Sequence, residues 1–102
     1  MNFSRLEEGM NTTFEIEASL DALSAADLRP VIEEIVDHTH TDMHVIVDVS
    51  HLDLIDASGV GALVAIYKRV HSNHGEVAVH GLVGQPVAIF RLLKLDRIFA
   101  EA

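Results

Sequence analysis

The chain has 102 residues, 49% of them apolar, which suffices for one hydrophobic core and is too little for two ordinary domains. Its 7 basic and 16 acidic side chains give a formal net charge of −9 with only 5% aromatic residues, so no cationic or stacking surface is available for nucleic acid, which is excluded as an expected partner. Cysteine is absent, ruling out disulfides and thiolate sites; the longest apolar runs fall far short of a bilayer, and the acidic start Met1 to Glu8 is unlike a signal peptide, so the expectation is a cytoplasmic chain without direct membrane insertion.

Residues 3 to 8 read as a first strand, turned through Gly9-Met10-Asn11-Thr12 into a second in which Phe14, Ile16, Ala18 and Leu20 alternate with Glu15, Glu17, Ser19 and Asp21. Ser24 with Asp27 resembles a capping box, followed by a helical stripe of Leu28, Ile32, Ile35, Val36 and Thr39. Pro30 implies either an irregular first turn or a regular helix that begins near Arg29. A buried strand over 44 to 49, a loop from Ser50 to Ala57, and a helix from about Ser58 to Ser72 come next, with Val60, Leu63, Val64, Tyr67 and Val70 along one face. After a turn at Asn73-His74-Gly75, Val77 and Val79 mark a strand ending near Gly81. Pro86 opens a helix carrying Val87, Ile89, Phe90, Leu92 and Leu93, and Arg97 to Phe99 reads as a short closing strand. Strands and helices in this succession predict a small mixed α/β sheet, parallel after residue 13, with the N-terminal β-hairpin as an antiparallel edge and helices packed mainly on one face.

The stretch Asp56-Ala57-Ser58-Gly59-Val60-Gly61-Ala62-Leu63 puts a serine where an apolar strand has ended and an amphipathic helix begins. Backbone N–H groups there lack intrahelical partners and the helix dipole is positive, so the fold would accommodate a phosphate on Ser58. From position alone Ser58 is a capping serine, and Asp56 is equally an N-cap whose carboxylate accepts from the N–H of Ser58 or Gly59.

The run from Val47 to Gly61, with Asp56-Ala57-Ser58-Gly59-Val60-Gly61 at its end, resembles the signature of the STAS family, the domains shared by sulfate transporters and anti-sigma factor antagonists. The resemblance continues through Gly75 to Val79, Phe90-Arg91-Leu92-Leu93 and Leu95 to Phe99, so residues 1–102 are expected to form a single STAS domain. Leu20-Asp21-Ala22 fits the end of the family's second strand, with Ala18-Ser19 where a glycine is usual. The resemblance implies that Ser58 is the phosphorylation site and that Asp21, Asp56, Ala57, Ser58, Gly59, Val60 and Gly61 meet the partner. It further implies an anti-sigma factor with serine kinase activity that binds the unmodified antagonist and releases it once phosphorylated, and a serine phosphatase that restores it. The chain would then be substrate and ligand, not an enzyme, with no catalytic residue and no cofactor. The other reading is a constitutive interaction subunit of a membrane transporter complex for lipids or anions. Whether the chain self-associates stays open.

Rival chemistries fit less well. A receiver-type phosphorylation switch needs an acidic pair after its first strand and a lysine after a late one, whereas Lys94 lies in or just after an apolar helix. A serine hydrolase elbow needs glycine two residues before the serine, and Asp56 stands there. Seven histidines invite a metal, yet His38 and His40 fall on different helix faces, and His71 with His74 lacks a third ligand, so no metal site is expected. Asp48, at a strand end, is expected to bond loop backbone.

Overall fold

A computed structural model describes residues 3–8, 11–38 and 44–101. The elements are β1 (Phe3–Glu8), β2 (Asn11–Ile16), β3 (Ala18–Leu20), α1 (Ala22–His38), β4 (His44–Asp48), β5 (Leu52–Ile55), α2 (Ala57–Ser72), β6 (Glu76–His80), α3 (Gln85–Leu92), a 3₁₀ turn at Leu95–Arg97, and β7 (Ala100–Glu101). Five strands form one sheet in the order β1-β2-β4-β6-β7. β2, β4, β6 and β7 are parallel and β1 is an antiparallel edge on β2, the mixed sheet with an N-terminal hairpin that the sequence predicts. Parallel neighbours need long crossovers, which the helices supply. A second, two-stranded parallel ladder joins β3 to β5.

The core lies between the main sheet and the helices. Phe14 and Ile16 of β2, Val45 and Val47 of β4, and Val77 and Val79 of β6 are buried in one cluster with Leu28 of α1 and Leu63, Ile66 and Val70 of α2. Residues between them on the strands, such as Thr13, Ile46 and Ala78, are only half-buried, as the two-residue period requires when helices pack mainly on one face. Phe90 and Phe99 close the far side, with ring centroids 5.9 Å apart.

Several sequence expectations are corrected. The alternating strand from Phe14 to Leu20 is broken at Glu17, because Ala18 adopts φ 64° and turns the chain out of the main sheet into β3. Ala18 is consequently exposed while Leu20 stays buried. The segment read as a loop from Ser50 to Ala57 contains β5, whose buried-exposed-exposed-buried pattern hides it from a test for alternation. α1 begins at Ala22, not near Arg29, and Pro30 lies in its interior. Both Pro30 and Ala26, whose carbonyl loses its usual helical donor to the proline, are exposed, so the missing bond falls on the outer side of the helix. The cap is Asp21, not Ser24: the Ser24 N–H donates to Asp21 Oδ1 at 3.1 Å, and the Ser24 hydroxyl turns back to the Ser19 carbonyl at 3.0 Å. Of the α1 stripe, Ile32, Ile35, Val36 and Thr39 lie outside the described side chains. The buried face of α2 is centred on Gly59, Ala62, Leu63, Ile66 and Val70, with Val60, Val64 and Tyr67 on its flank. On α3, Leu92 is 76% exposed. The closing strand begins at Ala100, because Leu95–Arg97 takes a 3₁₀ turn first.

Candidate functional site at the α2 N-terminus

β3 and β5 run parallel with Leu20 opposite Ile55, and each passes directly into a helix, through Leu20-Asp21-Ala22 and through Ile55-Asp56-Ala57. Two helix N-termini therefore open side by side. The link between them is direct: the Asp56 N–H donates to the Leu20 carbonyl at 3.2 Å. Asp56 has the extended backbone of an N-cap, its Oδ1 accepts from the Gly59 N–H at 2.9 Å, and its carbonyl accepts from Val60 at 2.9 Å. Asp21 does the same for α1, its carbonyl accepting from Ala25 at 2.8 Å. The Ser24 N–H, and secondarily the Ser24 and Ser19 hydroxyls, hold the Asp21 carboxyl below its ordinary pKa of 3.8.

Ser58 is the second residue of α2, and with Asp56, Ala57 and Gly61 it is exposed. Gly59 points the other way. It is buried, and a methyl group added there would overlap the Leu20 carbonyl oxygen and lie 2.8 Å from Ile55 Cγ1. The close approach that Gly59 permits is thus to β3 of its own chain. Val60 is half-buried against the core, whereas nothing lies within 4 Å of a methyl group added at Gly61. Of the residues singled out from sequence, the structure gathers Asp21, Asp56, Ala57, Ser58 and Gly61 at one surface and turns Gly59 and Val60 inward.

Sequence reasoning missed three residues here. Leu23, in the first turn of α1, is 80% exposed, and Leu54, on β5, is 57% exposed. Each stands two residues from one of the capping aspartates. The third is Gln85, the first residue of α3. Its Oε1 accepts from the Ile55 N–H at 2.9 Å and its Nε2 donates to the Ile55 carbonyl at 3.0 Å. No local pattern announces a contact between residues so far apart in the chain.

Asp48 lies outside this surface. Its Oδ1 accepts from the N–H and hydroxyl of Ser50 at 3.0 and 2.7 Å, the loop bonding expected of it. Burial pushes its pKa up, but the Ser50 bonds and the nearby His80 and His51 outweigh that and hold it below 3.8. Four of the described histidines fall in two places, His44 and His71 lining one cleft and His51 and His80 near Asp48. His71 stacks on Tyr67 with centroids 5.3 Å apart, His44 faces Glu76 at 3.6 Å, and His38 and His40 lie outside the described side chains. Among the described residues, no group of three or more His, Asp or Glu could hold a metal ion. Nor is any described helix long and apolar enough to cross a membrane.

The mixed sheet, the hairpin edge and the paired strand-to-helix turns define a small α/β domain of a recognised type. The chain belongs to the STAS domain family, whose model matches residues 5–101. Among solved structures it is similar to an anti-sigma-factor antagonist (STAS) domain protein from Planctomyces limnophilus, with a TM-score of 0.85 at 14% identity, covering 99% of this chain and 88% of that one. The Bacillus cell fate determinant SpoIIAA in its phosphorylated form gives a TM-score of 0.79 at 17% identity, over 98% of this chain and 90% of that one. A sulfate transporter family protein from Wolinella succinogenes gives 0.75 at 16% identity, over 90% and 73%.

Proposed function

We propose that this chain is an anti-sigma factor antagonist that works by partner switching. In this reading the unmodified protein binds an anti-sigma factor with serine kinase activity, phosphorylation of Ser58 releases it, and a serine phosphatase restores it. The chain is ligand and substrate throughout, acts in the cytoplasm, and needs no catalytic group or cofactor of its own.

The supporting observation is the exposed position of Ser58 at the second residue of α2, just after the cap Asp56, which bonds to the end of the strand that leads into Asp21; the exposed Leu23 and Leu54 each stand two residues from one of these caps. A hydroxyl there is accessible to an enzyme, and the two leucines offer apolar area to a protein surface. Phosphorylation replaces the neutral hydroxyl by about 1.5 to 2 negative charges. The helix N-terminus tolerates that charge in the free protein. A partner surface fitted to the hydroxyl and the neighbouring carboxylates meets instead a dianion that it must desolvate. A loss of about 1.4 to 2.8 kcal/mol weakens a complex tenfold to a hundredfold, within the range for one unpaired buried charge. Binding is lost while the fold persists.

The likeness to a sulfate transporter family protein supports a second reading, in which the same helix end docks permanently on a transporter subunit. Incubation with ATP and the anti-sigma-type kinase encoded nearby separates the two. Partner switching requires a mass gain of one phosphate that vanishes in Ser58→Ala. No gain with any such kinase, together with stable capture of a transporter subunit, selects the second reading.

A further inference from the structure

We infer that Gln85 is a positioning residue for Ser58: its side-chain amide closes the open edge of β5 and thereby fixes the register in which the serine hydroxyl is presented. This rests on the reading of Ser58 as a phosphorylation site.

In a strand, the N–H and C=O of one residue point to the same side, and successive residues alternate sides. On β5 the bonds toward β3 are made by its flanking groups, the His51 carbonyl accepting from the Ala18 N–H at 3.1 Å and the Asp56 N–H donating to the Leu20 carbonyl at 3.2 Å. The N–H and C=O of Ile55 therefore face away from β3, where among the described residues the two-stranded ladder has no third strand. Gln85 supplies what a third strand would: one acceptor at 2.9 Å and one donor at 3.0 Å. A side-chain amide offers both at this spacing without titrating. Ile55 is thus held by its backbone through Gln85 and by its buried side chain beneath Gly59. Asp56, the cap of α2, follows it directly, and Ser58 stands two residues beyond.

The consequence is mechanical. Without the amide, the Ile55 N–H and C=O turn to water, the end of β5 gains freedom, and the hydroxyl no longer arrives in one orientation at an incoming phosphoryl group. In-line transfer is sensitive to such misplacement, which can cost about a hundredfold in rate.

Three variants test this: Gln85→Ala, Gln85→Glu and the control Ser72→Ala, which lies at the far end of α2. The first readout needs no kinase. Amide-proton exchange at Ile55 should quicken about tenfold in Gln85→Ala and stay unchanged in the control. Gln85→Glu keeps an acceptor for the Ile55 N–H but at neutral pH cannot donate to the Ile55 carbonyl, so its exchange should lie between those of wild type and Gln85→Ala. On acidification it should regain protection as the carboxyl takes up a proton and again offers a donor and an acceptor. The second readout is Ser58 phosphorylation by the anti-sigma-type kinase, in which Gln85→Ala should lower kcat at least threefold with a smaller change in KM. Unchanged Ile55 exchange in Gln85→Ala, or wild-type kcat with Ser58 still phosphorylated, overturns the positioning role. If wild-type protein is never phosphorylated while Ile55 exchange responds as described, the clamp stands and the switch reading of Ser58 fails.

Discussion

Replacing Gly59 by alanine adds a single methyl group at a site where the neighbouring atoms cannot move aside cheaply. The new carbon would overlap the Leu20 carbonyl oxygen and press on Ile55 Cγ1 at 2.8 Å and Leu20 Cγ at 2.9 Å. Overpacking of this kind costs about 1 to 3 kcal/mol, and a backbone obstacle puts it at the upper end of that range. Pushing the Leu20 carbonyl away also strains its bond from the Asp56 N–H, worth about 1 kcal/mol. Against this, alanine in a helix is about 1 kcal/mol better than glycine. The net is a loss of about 2 to 3 kcal/mol, or roughly 10 to 20 °C in Tm for a domain of this size. Gly61→Ala, two residues along, meets nothing within 4 Å and keeps only the helix gain, so its Tm should rise by about 3 to 6 °C. Thermal unfolding followed by circular dichroism on both variants in one buffer decides the matter. The packing argument for Gly59 is refuted if Gly59→Ala melts within 2 to 3 °C of wild type, which is roughly the shift from a change of 0.5 kcal/mol.

Ala18 holds φ 64°, a conformation costing a residue with a Cβ about 1 to 2 kcal/mol, so Ala18→Gly should raise stability by about 0.5 to 1 kcal/mol in urea unfolding; a destabilised variant contradicts the strain. Asp48 and Asp21 both have folded-state pKa values below 3.8, so the stability they contribute is complete above that pH and is lost as pH falls through the lowered values. Carboxyl-carbon NMR titration should find both midpoints under 3.8, and a midpoint above it for either removes that contribution. In calorimetric titration with the kinase-type partner, Ser58→Ala should bind as wild type while Ser58→Asp binds at least tenfold more weakly with unchanged Tm; equal affinities count against the charge mechanism. A bulky replacement at the exposed Gly61 should lower partner affinity more than Tm, and a purely thermal defect would point to packing instead.

Most of the main sheet was legible because its rules are local. Phe14 with Ile16, Val45 with Val47, and Val77 with Val79 each alternate, and the helices between them dictate parallel pairing. The site was legible in part for the same reason: Asp56-Ala57-Ser58 opens a helix with a good cap, and the resemblance to STAS domains directs attention to the serine. What escaped the sequence is non-local or conformational. Periodicity sees side chains but not dihedral angles, so the bend at Ala18 and the escape of β3 from the main sheet left no mark. Leu52-Asp53-Leu54-Ile55 does not alternate because Leu54 is turned to water. Pro30 argued for a shorter α1, since a sequence cannot say that the proline and the residue it deprives of a donor both fall on the exposed side of the helix. Gly59 and Gly61 look alike in the motif, and only packing against Leu20 separates an interior role from an exposed one.

The serine is mounted on a ladder of its own. β3 and β5 share their buried side chains with the common core, but their backbone bonds do not belong to the five-stranded sheet. Exposed positions on this ridge, such as Asp53, Leu54 and Ser58, can therefore be exchanged without breaking a backbone bond of the larger sheet, whereas Leu20, Ile55 and Gly59 tie the ridge to the shared interior.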